Sequence, residues 1–355
     1  MHIYTHMRHL TSVACSAAAM SFVLPVHAAT YTAKQVKLTD DPGTGCAAFG
    51  INDAAQITGG CSDENYVYIV GFTTEPKGKK ATDFGLLGGT EGYGTSINND
   101  GVLVGEATLP GDTTYHAVLR RPGDVGLTDL GTLGGKYSYG AGINDSGVIV
   151  GYSTMPGEEE VHTFVTSLTD NRLVDLNANS GATAMYAEGV NIKGIIIGSG
   201  SFANTTPTHA FYAKSPKYEF IDLGTLGGPT SYAAAISDSG LIVGYSKVDS
   251  GTLYRAFIVD IKQGSEMRDL GTPAGRKSYA YGVNNHGQVV GKFIRSDGVS
   301  VGFMCSGDCS DFVDLNQVTS GLPEGTILTN ATVINKKGRI GATGSDNKLY
   351  LLTPQ

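Results

Sequence analysis

The sequence predicts an all-β chain folded as a seven-bladed β-propeller of four-stranded antiparallel blades, and three observations predict it. The first is repetition. Asp222-Leu-Gly-Thr-Leu-Gly-Gly228 with Ile236-Ser-Asp-Ser-Gly-Leu-Ile-Val-Gly244 has near-copies at residues 129–135 with 143–151 and at 269–275 with 283–291. The residue after the apolar mark falls at Asn52, Asn98, Asn144, Asn191, Ser237, Asn284 and Asn335, spacings of 46, 46, 47, 46, 47 and 51 residues. A period of this length is the signature of a repeat architecture. The second observation is the number of extended runs in a unit. Residues 218–222, 231–236, 241–245 and 254–259 are each strand-length and bounded by Gly, Ser, Asp or Asn, and four strands per unit of this length make a propeller blade. The third is the absence of any apolar pattern at helical period long enough for three turns.

Taken in order, residues 1–28 read as an export signal. Arg8 stands in a short polar start, residues 11–25 carry no charge, and Val26-His27-Ala28 offers small residues for cleavage near Ala28. The run is short for a bilayer span. No second apolar segment follows, so the mature chain, residues 29–355, is expected to be one propeller domain, secreted or periplasmic, without an integral membrane segment. Removing the signal removes Cys15 and leaves four cysteines. A two-residue turn at Asp53-Ala54 sets Cys46 opposite Cys61 across a hairpin, and Cys305-Ser-Gly-Asp-Cys309 staples a turn. Two local disulfides suit an oxidising compartment better than free thiols or a metal site built on the Cys-x3-Cys spacing.

Between the second and third runs of a unit stands Ile-Asn-x-x-Gly, as at residues 97–101 and 143–147. The Asn side chain can bond the backbone two residues on and Gly takes positive φ, so these loops are hairpin tips and not Ca²⁺ sites, which need six or more converging oxygens. Residues 31–38 correspond to the run before the Asp motif, and residues 349–352 to the fourth run of a unit. If the second run is the innermost strand, the N-terminal strand is the outer edge of the last blade and closes the ring. The other phase, seven self-contained blades each beginning at the Asp strand, stays open.

The units resemble those of the HAF-repeat family of bacterial extracellular proteins. The family pattern joins Asp-Leu-Gly-x-Leu-Gly-Gly, here at residues 129–135 and 222–228 and in part at 83–89, to Ile-Asn-x-x-Gly-x-Val-Val-Gly and to His-Ala-Phe, here His209-Ala-Phe211 with variants at 116–118, 162–164 and 255–257. The resemblance covers nearly all of residues 30–355. It implies export and a repeat architecture and names no reaction. The Trp that often closes the His-Ala-Phe strand is absent, since the chain has no Trp.

Candidate chemistry is sparse. The pairs His116 and Asp129, His162 and Asp175, His209 and Asp222, and Arg255 and Asp269 are 13 or 14 residues apart and can meet at one end of two antiparallel strands. Repetition makes them buried structural locks and not acid–base pairs. Five residues before the Asn mark stand Tyr93, Tyr139, Tyr186, Tyr232 and Tyr279, with Ala47 and Asn330 in the first and last units. Around an axis these phenols offer flat faces and hydroxyls to sugar rings or a partner's side chain, although a repeated aromatic is most often blade-to-blade packing. Glu188 stands where other units have Thr95, Ala141, Ala234 and Tyr281. A glycosidase needs two carboxyls a few ångströms apart, and no second acid occupies an equivalent inner position.

A net charge of −8 with scattered signs leaves no basic footprint for nucleic acid or anionic lipid. No phosphate loop, catalytic nucleophile, metal set or cofactor motif emerges. The expected function is a binding module for a protein or glycan on the cell surface or outside it, with a hydrolase or lyase centred on Glu188, or a purely structural surface module, as the alternatives.

Overall fold

The computed structural model describes residues 29–38, 45–62, 69–158, 160–178, 182, 184–202, 207–272, 275–307 and 309–355. The expected export signal, residues 1–28 with Cys15, lies outside the described residues. The described chain is all-β apart from one short helix, Leu315–Val318.

Each unit begins with the strand that carries the tyrosine position: Cys46–Ile51, Gly92–Ile97, Ser138–Ile143, Ala184–Val190, Ser231–Ile236, Gly275–Val283 and Leu328–Ile334. It pairs antiparallel with the strand after the Asn turn. That strand pairs with the His-Ala-Phe strand, which pairs in turn with the strand ending at the repeated Asp. In the last unit the fourth position is taken from the other end of the chain. Tyr31–Gln35 runs antiparallel to Leu349–Pro354, with Tyr31 opposite Pro354 and Gln35 opposite Tyr350.

The turns follow from Asn and Gly. Asn144 Oδ1 accepts the N–H groups of Ser146 and Val148, both at 3.0 Å, while Gly147 sits at φ +78° where a side chain is disfavoured. The same bonds leave the Asn amide free to reach onward. Asn52 Nδ2 donates to the carbonyl of Asn98, Asn98 to Asn144, Asn144 to Asn191 and Asn191 to Ser237. Asn284 donates to Asn335, and Asn335 back to Asn52 at 2.9 Å. One link is missing, at Ser237, whose side chain carries no amide. These bonds satisfy the buried turn carbonyls that water cannot reach.

The turn at Asp53-Ala54 is longer than the sequence predicts. Cys46 does face Cys61, and Ala48 faces Gly59, but Gly50 then faces Thr58. A bulge at Phe49 shifts the register, and the loop spans Asn52 to Gln56, closed by the Asn52 N–H on the Gln56 carbonyl at 3.1 Å. Both disulfides form, Cys46–Cys61 across the strand pair and Cys305–Cys309 within its turn.

The glycine of Val-Val-Gly is a packing residue. A Cβ on Gly151 would run into the Tyr139 carbonyl and the Phe164 ring, and Gly198, Gly244 and Gly291 stand in the same relation to Phe211, Phe257 and Phe303. These rings are fully buried. The core lies between successive units. Val104 and Leu119 pack with Ile149 and Phe164, and Val290 and Met304 with Ile340 and Leu352. Leu349 and Leu351 of the last unit share a cluster with Ile57 and Phe72 of the first.

Three His–Asp pairs form, and only His162 of the second is buried as expected. His116, His162 and His209 each place Nδ1 2.9 Å from the carboxylate of Asp129, Asp175 and Asp222, and the Asp side chains of the first and third pairs are about 40% exposed. Arg255 does not complete the series: its Nε is buried without a hydrogen-bond partner among the described residues and makes no ion pair with Asp269. The Asp residues have a commoner task. Asp129, Asp222 and Asp269 accept the N–H two residues on at 2.6–2.7 Å, which turns the chain out of the strand. Asp314 does the same for Asn316 and so caps the short helix.

Candidate functional site

The tyrosine-bearing strands share one irregularity that decides what faces the centre. In all seven the register shifts at the same place, between residues 48 and 50, 94 and 96, 140 and 142, 187 and 189, 233 and 235, 280 and 282, and 331 and 333. The skipped residues are Phe49, Thr95, Ala141, Glu188, Ala234, Tyr281 and Thr332. A bulge frees one residue from the ladder and re-aims its side chain, and all seven line a common central space.

That space has three levels. At the Asn turns a cavity of about 170 Å³ is lined by all seven turns and by Lys336. The Lys336 amine lies 3.2 Å from Asp238, 3.7 Å from Asp145 and 3.9 Å from Asp53. Burial works against its charge, but the three carboxylates outweigh that and raise its pKa. Burial likewise opposes ionisation of Asp238, yet the Ile192 N–H, Asn285 and Lys336 hold its pKa below the usual range. Next comes a collar of Ile51, Ile97, Ile143, Val190, Ile236, Val283 and Ile334, which borders both this cavity and the one beyond it. On the far side, at the tyrosine end, a cavity of about 330 Å³ is lined by Phe49, Tyr139, Tyr232, Tyr245 and Tyr281 with Glu188.

Of the five tyrosines singled out in the sequence, Tyr139 and Tyr232 line this cavity. Each stacks on the tyrosine opposite it in the next strand, Tyr139 on Tyr152 at 4.9 Å and Tyr232 on Tyr245 at 5.2 Å. The other three pack around it. Tyr93 tilts against Phe49 at 5.7 Å, Tyr186 meets the edge of Tyr152 at 5.1 Å, and Tyr279 lies parallel to Tyr281 at 6.2 Å. Lys292 sits over Tyr279 and Tyr281, 5.4 and 5.7 Å from their centroids, and burial lowers its pKa.

Glu188 projects from its bulge into the cavity, where its side chain is exposed to the solvent the cavity holds although protein crowds around it. Burial pushes its carboxyl up to about 7. It has no hydrogen-bond or ion-pair partner among the described residues. The structure adds a second acid that the repeat alignment did not reveal. Glu106 stands opposite Tyr93 in the neighbouring strand. Burial raises its pKa to about 7, against a hydrogen bond from Tyr93 that lowers it, with Glu91 adding repulsion. Burial also raises the phenols of Tyr93, Tyr139, Tyr152 and Tyr281, with Tyr245 at about 12, so all are neutral donors at physiological pH. Glu106 does not line the cavity that holds Glu188.

No family model matches the chain, and comparison with curated proteins found no match. Among solved structures it is similar to the β-propeller domain of the Trilobed protease from Pyrococcus furiosus, at 9% identity and a TM-score of 0.58, over 87% of this chain and 94% of that one. It is also similar to an oligogalacturonate lyase in complex with manganese, at 11% identity and a TM-score of 0.56 over 92% and 97% of the two chains. Prolyl endopeptidases match at 10% identity and a TM-score of 0.54 over 88% of this chain and 46% of theirs, so this chain spans about half their length. At such identities the likeness is one of fold. This all-β chain shares the fold of β-propeller proteins.

Proposed function

We propose that residues 29–355 form one exported, seven-bladed β-propeller of the HAF-repeat type, closed by the strand Tyr31–Gln35, that acts as a binding module through the cavity at its tyrosine end. The seven Asn turns around one space and the pairing of the first and last strands support the blade count and the closure. Two disulfides support export. One observation carries the binding reading. The cavity at the tyrosine end sets five aromatic rings among small Ala, Ser and Thr side chains around a single unpartnered carboxyl, a composition that suits part of a glycan or a partner's side chain. At the opposite end, Lys336 and the aliphatic collar close the approach.

Hydrolase or lyase chemistry is the weaker reading. Glu188 is the one carboxyl on the cavity wall among the described residues, and Glu106, which accepts a hydrogen bond from Tyr93, does not line it. Paired carboxyls flanking one bond are what glycoside hydrolysis requires. Screening the protein against polysaccharides and envelope extracts tests the proposal. The chain has 18 Tyr and no Trp, so its emission reports on phenols, many of them at this cavity. Saturable binding that quenches tyrosine emission and is lost in Tyr232→Ala is the expected result. No binding by any extract or polysaccharide counts against the reading.

A further inference from the structure

We infer that the cavity at the tyrosine end is a site for a small organic ammonium compound, caged by Phe49, Tyr139, Tyr232, Tyr245 and Tyr281 and neutralised by Glu188. This rests on the binding reading above and gives the ligand its chemical class.

Aromatic faces carry the negative lobe of the ring quadrupole, and several around one space attract a cation most strongly when water is excluded. Here five rings and one carboxyl share a cavity of about 330 Å³, the size for a small head group and not for an extended chain. Among the described residues no Lys or Arg lines the cavity. Lys336 lies beyond the aliphatic collar, bound to Asp53, Asp145 and Asp238. Lys292 rides on Tyr279 and Tyr281 and does not line the cavity. An anion would face the ring faces and Glu188, and a neutral apolar guest would bury the carboxyl further without compensation. An ammonium group satisfies both rings and carboxyl.

The groups facing Glu188 set the pH dependence. Tyr139, Tyr152 and Tyr245 feel its charge, Tyr232 and Tyr281 share its cavity, and Glu106 acts on Tyr139 and Tyr152 from the neighbouring strand. The phenols stay neutral, so the titrating acids are Glu188 and Glu106. With the Glu188 carboxyl at about 7, roughly a tenth is ionised at pH 6 and nine-tenths at pH 8. A cation that needs the carboxylate therefore binds about tenfold more tightly at pH 8.

The test is calorimetric titration of the intact protein, at constant ionic strength and at pH 6 and pH 8, with tetramethylammonium chloride, choline, glucosamine and a neutral sugar panel. Expected is 1:1 binding of tetramethylammonium and choline if the source is a quaternary head group, or of glucosamine if it is an amino sugar. For tetramethylammonium and choline, whose charge does not titrate, affinity is expected to rise about tenfold with pH, and for any ammonium guest to fall at least tenfold in Glu188→Gln at pH 8. The wild-type pH profile stands as evidence even if that variant misfolds. Binding of neutral sugars alone, unchanged by pH or by Glu188→Gln, overturns the cation site and leaves the binding module standing. Binding of none of these, together with no partner in the extracts, overturns both.

Discussion

Glu188 and Glu106 make a prediction of definite sign. Glu106 holds its proton to about pH 7 in the folded chain against 4.5 for a free carboxyl, and Glu188 is shifted the same way but contributes less, being open to the solvent of the cavity. The unfolded chain therefore releases protons between these values while the folded chain keeps them, and stability falls as pH rises through that window. Glu106→Gln keeps an acceptor for Tyr93 and removes the titration. It should raise stability at pH 8 by no more than about 3 kcal/mol and leave it unchanged near pH 4, read by thermal melts at both pH values. Lys336 behaves in the opposite way, because its partners must be ionised to hold it. Lys336→Met should lower the melting temperature at pH 7, and the loss should shrink in acid only as Asp238, held below the usual carboxylate range, takes up its proton. At this scale the sequence was partly legible. Repeat alignment found Tyr139, Tyr232 and Glu188 because they stand at fixed offsets from the Asn mark. It aligned Tyr281 with Glu188 but passed over Phe49, and it held no sign of the bulge that turns this position toward the centre. Glu106 escaped because it lies on the neighbouring strand, where Tyr152 and Tyr245 stand in other units.

Within a unit, the strands are organised by a glycine that admits an aromatic ring. Gly198→Ala should cost at least about 2 kcal/mol, because the added methyl meets the Tyr186 carbonyl as well as the Phe211 ring and the backbone cannot yield. Gly189→Ala is the control. Its Cβ would meet only Ile197 side-chain atoms at 3.6 Å or more, so chemical denaturation should show little change. Removing the Cys46–Cys61 bridge, which closes a separation of 15 residues, should cost about 3 kcal/mol by loop-closure entropy. The elements were the most legible part of the sequence. Four strands per unit, Asn-x-x-Gly turns and both cysteine pairs follow from local chemistry. The two-residue turn did not survive, since a symmetric count across Cys46 and Cys61 carries no sign of a bulge between them. The His–Asp spacing located contacts correctly but not their exposure, which depends on how far these strand ends stand from the core.

Across the whole molecule, the cavity exists only if the repeats encircle one space. The Asn bonds run from Asn52 through successive turns and return from Asn335, and the core clusters pass in the same way from the last unit to the first. Repetition in the sequence announced the number of units. The phase stayed open there because a strand before the first Asp motif suits either arrangement, and the pairing of Tyr31–Gln35 with Leu349–Pro354 is a contact over more than 300 residues that no local pattern encodes. Hydrogen exchange on the amides of these two strands tests the closed ring most directly. In a closed ring, residues 31–35 and 349–354 exchange together, as slowly as the buried inner strands and by global opening. Fast exchange of residues 31–35 while the inner strands stay protected would contradict it, leaving an open ring and no enclosed site.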